Sequence, residues 1–93
     1  MKYEKHEVLK MLDSDTISAL LKIYGLTYQH LALPLRCTRQ NVLYLLKSGN
    51  MKDYQKAIIL DIFTSYGMET AELMLIHQMT SKAKKLKGRG INE

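Results

Sequence analysis

The stretch LTYQHLALPLRCTRQNVLYLLKSG, residues 26–49, has the pattern of two short helices joined by a tight turn at Arg36-Cys37. A threonine precedes each helix, at residues 27 and 38, and threonine is a favoured cap for a helix N-terminus. Apolar residues recur every three or four positions along both helices, which predicts one buried face on each. The inward-facing residues are Leu31, Ala32 and Leu35 in the first helix and Val42, Leu45 and Leu46 in the second.

The start of the second helix is polar on its outer side. Once the apolar residues face inward, four side chains have to face outward: Arg39, Gln40, Asn41 and Tyr44. All four can form hydrogen bonds, and the free N–H groups at a helix N-terminus attract anions. The exposed start of this helix is therefore the first candidate for a binding surface.

Four further helices are predicted around this stretch. The first covers roughly residues 2–12, and the second ends at Gly25, a residue suited to the left-handed conformation that closes a helix. After the loop KSGNMKD, residues 47–53, Asp53 caps a mostly buried helix over residues 54–66, and a last helix runs from about Thr70 to Leu86. We predict an all-α fold, a compact bundle of five or six helices. It forms one domain over residues 1–87, with a flexible basic tail over residues 88–93.

The composition indicates a globular protein. The 93 residues are 46% hydrophobic and 25% charged, and no apolar run approaches the roughly 18 residues that a membrane span needs. The N-terminus lacks the apolar segment of a signal peptide. One cysteine, Cys37, cannot form an internal disulfide, which fits a reducing compartment. We expect a cytoplasmic protein without membrane contact.

The distribution of charge points to an anionic partner. The formal net charge is +5, and residues 16–50 contain four basic residues and no acidic one. Residues 82–89, KAKKLKGR, add five basic residues, again without an acid. Acid-free basic segments of this kind are typical of proteins that bind nucleic acid, although a basic tail can also serve solubility alone.

The spacing across residues 25–45 carries a family resemblance. Gly25-Leu26-Thr27 is followed after three residues by Leu31-Ala32, then by Leu35, by Thr38 to Val42 and by Leu45. This pattern resembles the helix-turn-helix of the phage-repressor, Cro and xenobiotic-response-element (XRE) family. The match runs without a gap from Ile17 to Lys47, and a weaker one continues from Gly67 to Leu73. The resemblance implies a lambda-repressor-like fold with an extra N-terminal helix, and a helix-turn-helix proper over residues 27–47.

The resemblance and the chemistry of the side chains together predict double-stranded DNA as the partner. Arginine can contact guanine with two hydrogen bonds, and glutamine and asparagine can contact adenine in the same way. The residues expected to read bases in the major groove are Arg39, Gln40, Asn41 and Tyr44. The residues expected to contact phosphates are Thr27, Gln29, Thr38, Lys47, Lys82, Lys84, Lys85, Lys87 and Arg89.

The chain departs from the family pattern around the turn. The family usually has glycine where this chain has Arg36, so the arginine has to adopt a left-handed conformation. Pro34 removes a backbone N–H from the first of the two helices, which is expected to end early or to bend. Gly49 lies one residue beyond its usual place, which predicts a slightly longer recognition helix. Tyr28 replaces a glutamine, and Gln29 follows it.

No pattern of catalytic residues or metal ligands is present in the sequence. His6, His30 and His77 are far apart and lack metal-ligand spacing. Cys37 occupies a position where the family has a small apolar residue, so a buried thiol is expected there rather than a nucleophile. No glycine-rich loop follows a strand, which argues against a nucleotide site. We expect a non-enzyme without metal or cofactor.

The expected function is that of a small transcriptional regulator, most simply a repressor of the phage or plasmid type. A homodimer on a palindromic operator is predicted, with Leu75, Met79 and Leu86 of the last helix at the interface. Those side chains could instead pack on the N-terminal helix within one chain. An alternative function is a protein-interaction module, an antirepressor or adaptor, that keeps the helix-turn-helix scaffold. Leu33 and Leu43, at positions normally polar, and the last helix favour it, and a regulatory protein partner is possible.

Overall fold

Six α-helices follow one another through residues 5–88, the part of the chain that the computed structural model describes, with side chains described for residues 6–83. No strand occurs within that range. The prediction of an all-α fold is therefore confirmed. The helices are α1 (Lys5–Lys10), α2 (Ser14–Tyr24), α3 (Tyr28–Leu35), α4 (Arg39–Ser48), α5 (Asp53–Ser65) and α6 (Thr70–Gly88).

Helix α2 ends at Gly25, as the sequence predicts, and is capped at both ends. The Asp13 carboxylate accepts a hydrogen bond of 2.9 Å from the Thr16 backbone N–H and so caps the N-terminus. Gly25 closes the helix in the left-handed conformation, with φ 68°. The following residue, Leu26, donates its N–H to the Leu21 carbonyl at 2.8 Å. Such bonds satisfy backbone groups that would otherwise be unpaired at a helix end.

The start of α5 differs from the prediction. Asp53 was expected to cap this helix, but the cap is Lys52, whose N–H donates to the Gln55 side-chain oxygen at 2.9 Å. Asp53 is instead the first residue of the helix, where a carboxylate interacts favourably with the helix dipole. The expectation that α5 is mostly buried is only partly correct. Ile59 and Phe63 are fully buried, whereas several of its other apolar side chains are half-exposed.

One apolar core joins all six helices. Helix α3 packs on α4 and α5, α2 packs on α6, and α1 packs on α5. The burial of apolar surface in such a core is the main contribution to the stability of a small domain. The largest fully buried apolar side chains are Phe63, Leu12, Ile17, Leu20, Leu31, Ile59, Leu73 and Val42.

Polar side chains connect α2 to α6 alongside the apolar core. The hydroxyl oxygen of Thr16, which is fully buried, lies 3.2 Å from His77 Nδ1 and 3.2 Å from the Thr80 hydroxyl oxygen. Asp13 lies 3.6 Å from the same nitrogen of His77. These contacts give the buried Thr16 hydroxyl the partners that a buried polar group requires.

A second polar link joins the other end of the same helix pair. The Tyr24 hydroxyl donates a hydrogen bond to the Glu72 carboxylate, and the Tyr24 ring lies 6.0 Å from the Phe63 ring, centroid to centroid. The hydrogen bond to Glu72, together with burial and the negative charges of Glu72 and Glu69, raises the pKa of Tyr24 to about 12. No helix in the described range is long and apolar enough to cross a membrane.

Candidate nucleic-acid interface

Two short helices and the turn between them, α3 through α4 (residues 28–48), form a unit that we call the α3–α4 unit. Arg36 ends α3 with φ 57° and ψ 45°, the left-handed conformation predicted from the sequence. It is the only non-glycine residue with positive φ in the described part of the chain. The Cys37 N–H donates to the Ala32 carbonyl at 3.1 Å, which closes the turn. An L-residue in this conformation costs roughly 1–2 kcal/mol, so the surrounding packing has to hold it there.

Pro34 does not end α3 early, since the helix continues to Leu35, and the alternative expectation, a bend at Pro34, stays a prediction. Its ring removes only the hydrogen bond that a residue 34 N–H would make, in the last turn of an eight-residue helix. The N-terminus of α3 is secured separately. The Thr27 N–H donates to His30 Nδ1 at 3.0 Å, so His30 serves as a capping side chain.

Apolar packing holds α4 against α3. Leu31, Ala32 and Val42 are fully inaccessible to solvent, and Leu46 is buried. This agrees with the inward-facing positions predicted for these four residues. Cys37 is half-buried rather than buried, since it lies in the turn with only part of its surface against the core.

The start of α4 is capped and open to solvent. The Thr38 hydroxyl accepts a hydrogen bond of 3.1 Å from the Asn41 N–H, as predicted for an N-cap. The four side chains predicted to read bases are all exposed, and Tyr44 is 63% exposed. Gly49 closes α4 with φ 73°, so the helix extends to Ser48 as its position in the sequence indicates. The side chains at this end are therefore held on a rigid element and are free to meet a ligand.

A groove of about 220 Å³ lies beside the start of α4. It is bordered by the outer face of α2, the start of α3 and the first residue of α4. The structure thus brings Arg39 and Thr27 together. It also adds Lys22, a residue that the sequence did not single out as a contact. The lining residues are Ser18, Leu21, Lys22, Leu26, Thr27, Tyr28 and Arg39.

The other predicted phosphate contacts are distributed unequally. Thr27, Gln29 and Thr38 are exposed around the starts of α3 and α4. Lys47 is also exposed, but it lines a second groove, of about 290 Å³, together with Asp13 and Asp15. Residues 16–50 contain no acidic residue, but in the fold the C-terminal end of α4 lies beside Asp13 and Asp15.

The basic C-terminal segment belongs largely to α6. Helix α6 runs to Gly88, the first residue of the predicted tail. Lys82 is exposed on it, and Lys84, Lys85 and Lys87 are helical in the backbone. Their side chains, Arg89 and the rest of the predicted tail lie outside the described residues.

Exposed apolar side chains mark the α2–α6 pair. Leu75 is 57% and Met79 is 61% exposed, so more than half of each residue is open to solvent among the described residues, while the side chain of Leu86 lies outside the described range. Ile23, on the neighbouring α2, is also exposed and was missed in the sequence. On the α3–α4 unit, Leu33 is 71% exposed and Leu43 is half-buried.

Within the described residues, no group of three or more histidine, cysteine, aspartate or glutamate side chains is arranged to hold a metal ion. Comparison of the chain with protein-family models, with curated proteins and with solved structures finds no match.

Proposed function

We propose that this protein binds double-stranded DNA in a sequence-specific manner and acts as a small transcriptional regulator, most simply a repressor. The α3–α4 unit is its lambda-repressor-like helix-turn-helix, and α4 enters the major groove. The observation that carries the proposal is the capped start of α4, where Thr38 fixes the helix end and Gln40, Asn41 and Tyr44 are exposed. Directional contacts to base edges require such a rigid polar surface.

The roles of the side chains follow from their chemistry. Gln40 and Asn41 offer paired hydrogen bonds to adenine, and Tyr44, one turn further on, contacts a thymine methyl group or a sugar. Arg39 can reach either a guanine or a phosphate. The phosphate contacts come from Thr27, Gln29, Thr38 and Lys47, with Lys82, Lys84, Lys85, Lys87 and Arg89 as further candidates. No catalytic step, metal or cofactor is part of this function, and the cytoplasm is its proposed location.

A homodimer is part of the proposal. One helix-turn-helix contacts few base pairs, and a two-fold dimer on a palindrome doubles the contacts, with half-sites about 34–36 Å apart. The exposed Leu75 and Met79 support α6 as the interface, with Leu86 as a third member. Ile23 on α2 adds apolar surface to the same helix pair.

Selection of bound duplexes from a random pool tests the proposal. Repeated selection with the wild-type protein should converge on a palindromic sequence. Binding to that duplex should survive physiological salt and an excess of random competitor DNA, because specific binding is typically at least 10³-fold tighter than non-specific binding. A pool that remains random, with binding lost at physiological salt, would contradict the proposed function.

A second candidate function is an adaptor or antirepressor that uses the same scaffold to bind another regulatory protein. The observation that favours it is Leu33, which is 71% exposed on the α3–α4 unit itself. Large exposed apolar side chains on a binding surface are typical of protein interfaces. A random pool after selection, together with a partner whose binding is lost in Leu33→Ser, would favour this function over DNA binding.

A further inference from the structure

We propose that Lys22 and Arg39 hold one backbone phosphate of the duplex in the groove between α2 and the starts of α3 and α4. This inference rests on the proposed DNA-binding function and refines it. It assigns Arg39 to phosphate binding rather than to base reading, and it adds Lys22 to the interface. The sequence preference then comes from Gln40, Asn41 and Tyr44.

The lining of the groove is suited to an anion. Two cationic side chains, Lys22 and Arg39, approach it from different helices, and none of the seven lining residues is acidic. Thr27 contributes a hydroxyl and Tyr28 a phenol to the same lining. The volume of about 220 Å³ accommodates a phosphate group with its remaining hydration, since a water molecule occupies about 30 Å³.

The two cations have complementary chemistry. A guanidinium group presents a planar set of donors that matches two phosphate oxygens at once, whereas an ammonium group acts as a compact point charge. Both side chains are exposed, so neither is held away from a ligand by burial. Asp13 and Asp15 line the other groove, beside Lys47, and not this one.

The position of Arg39 on α4 separates it from the base-reading side chains. Gln40, Tyr44 and Lys47 recur at intervals of four and three residues, so they share one face of the helix. Arg39 is five residues before Tyr44, which at 3.6 residues per turn places it roughly 140° away around the helix. Arg39 lines the groove together with Thr27 and Lys22, so it lies on the side of α4 that faces α2 and the start of α3. The face that carries Tyr44 can therefore lie in the major groove while Arg39 reaches the backbone beside it.

Salt titrations of DNA binding test this assignment. Lys22→Ala, Arg39→Ala and the double variant are compared with wild type on the selected duplex and on random duplexes between 50 and 200 mM salt. Gln40→Ala serves as the base-reading control, and Lys10→Ala as an exposed lysine remote from the α3–α4 unit in sequence. Thermal unfolding shows that each variant is folded.

Each single variant should weaken binding to the selected and random duplexes by the same factor. The preference for the selected duplex should stay at the wild-type value. Loss of one phosphate contact flattens the slope of log K against log salt by about 0.9. The fourfold rise in salt should therefore weaken DNA binding by the Arg39→Ala variant about 3.5-fold less than DNA binding by wild type. The double variant should lose less than the product of the two single losses, because both side chains act on the same phosphate.

Three results would overturn the assignment. If Arg39→Ala keeps the wild-type salt slope but loses preference at one base pair, Arg39 reads a base. Losses that multiply in the double variant mean that the two cations bind separate phosphates. A Lys22→Ala variant indistinguishable from Lys10→Ala removes Lys22 from the interface. Each of these leaves the proposed function standing, whereas wild-type protein that binds no duplex refutes both proposals.

A duplex with one neutral methylphosphonate provides the final check. When the substitution is moved along the selected duplex, substitution at one position in each half-site should weaken binding by the wild-type protein. That position should have a much smaller effect on the double variant, which no longer binds the phosphate. If every position weakens both proteins equally, the groove does not hold a phosphate.

Discussion

The α3–α4 unit and the α2–α6 pair differ in the side chains that join their helices and in those that face solvent. In the α3–α4 unit, apolar residues such as Ala32 and Val42 are buried between the helices, and the polar start of α4 faces solvent. In the α2–α6 pair, Thr16 and Tyr24 make polar contacts between the helices, and Leu75 and Met79 remain exposed. A polar outer surface suits directional contacts to bases, and an apolar one suits association with a second copy. Substitutions in the two regions should therefore differ in their effects on stability and on association.

Overpacking the α3–α4 contact should give the largest loss of stability. Ala32→Leu adds three carbon atoms at a fully buried site between the helices, which should lower the free energy of unfolding by roughly 1–3 kcal/mol. Urea unfolding followed by circular dichroism measures the change. Leu33→Ala, at the exposed neighbouring position, is the control and should stay within about 0.5 kcal/mol of wild type. Equal effects of the two variants would mean that the helices do not approach closely at Ala32.

Removing the buried hydroxyl of the α2–α6 pair should have a somewhat smaller effect. Thr16→Val keeps the side-chain shape but removes the partner of His77 and Thr80. The loss should be about 1–2 kcal/mol, because a partly buried polar group is left without its hydrogen bond. Thr16→Ser keeps the hydroxyl and should lose less. A Thr16→Val variant as stable as wild type would show that apolar packing alone joins these helices.

The Tyr24–Glu72 hydrogen bond should add stability that is lost at alkaline pH. The pKa of Tyr24 is raised to about 12 from its ordinary value of 10.0, so the folded state binds the tyrosine proton more tightly than the unfolded state does. This contribution is fully present below pH 10 and is lost as the pH rises from 10 through 12. Tyr24→Phe should therefore be less stable than wild type at pH 9, and the difference should shrink by pH 11.5. A difference that does not change with pH would contradict the assigned hydrogen bond.

Substitution of the exposed apolar side chains should leave the fold almost unchanged. Leu75→Gln and Met79→Gln alter exposed positions, so the stability of the monomer should change by less than about 0.5 kcal/mol. The double variant should nevertheless be monomeric in light scattering where the wild type is dimeric. Gln78→Ala, at an exposed polar position on the same helix, is the control. Wild-type protein that stays monomeric both free and on DNA would rule out the dimer.

Local patterns in the sequence were sufficient to predict most helices and the N-cap positions Thr27 and Thr38. These features depend on residues within one or two turns of each other. The cap of α5 was misassigned, since a glutamine side chain that reaches back to Lys52 replaced the cap expected from Asp53. The Arg39–Lys22 groove and the Thr16–His77 contact could not be predicted, because they depend on how separate helices pack. Exposure of Leu75 and Met79 was consistent with the helical pattern, but only the packing of α6 on α2 shows which apolar side chains stay outside.

The most direct test of the central claim compares Gln40→Ala and Asn41→Ala with wild type on the selected duplex and on random duplexes. Both side chains lie at the capped, exposed start of α4. Loss of a paired contact to a base should cost about 1–3 kcal/mol on the selected duplex and little on random DNA. The selected sequence should also become less constrained at one base pair of each half-site. If both variants keep full preference for the selected duplex, α4 does not read the DNA sequence and the account is wrong.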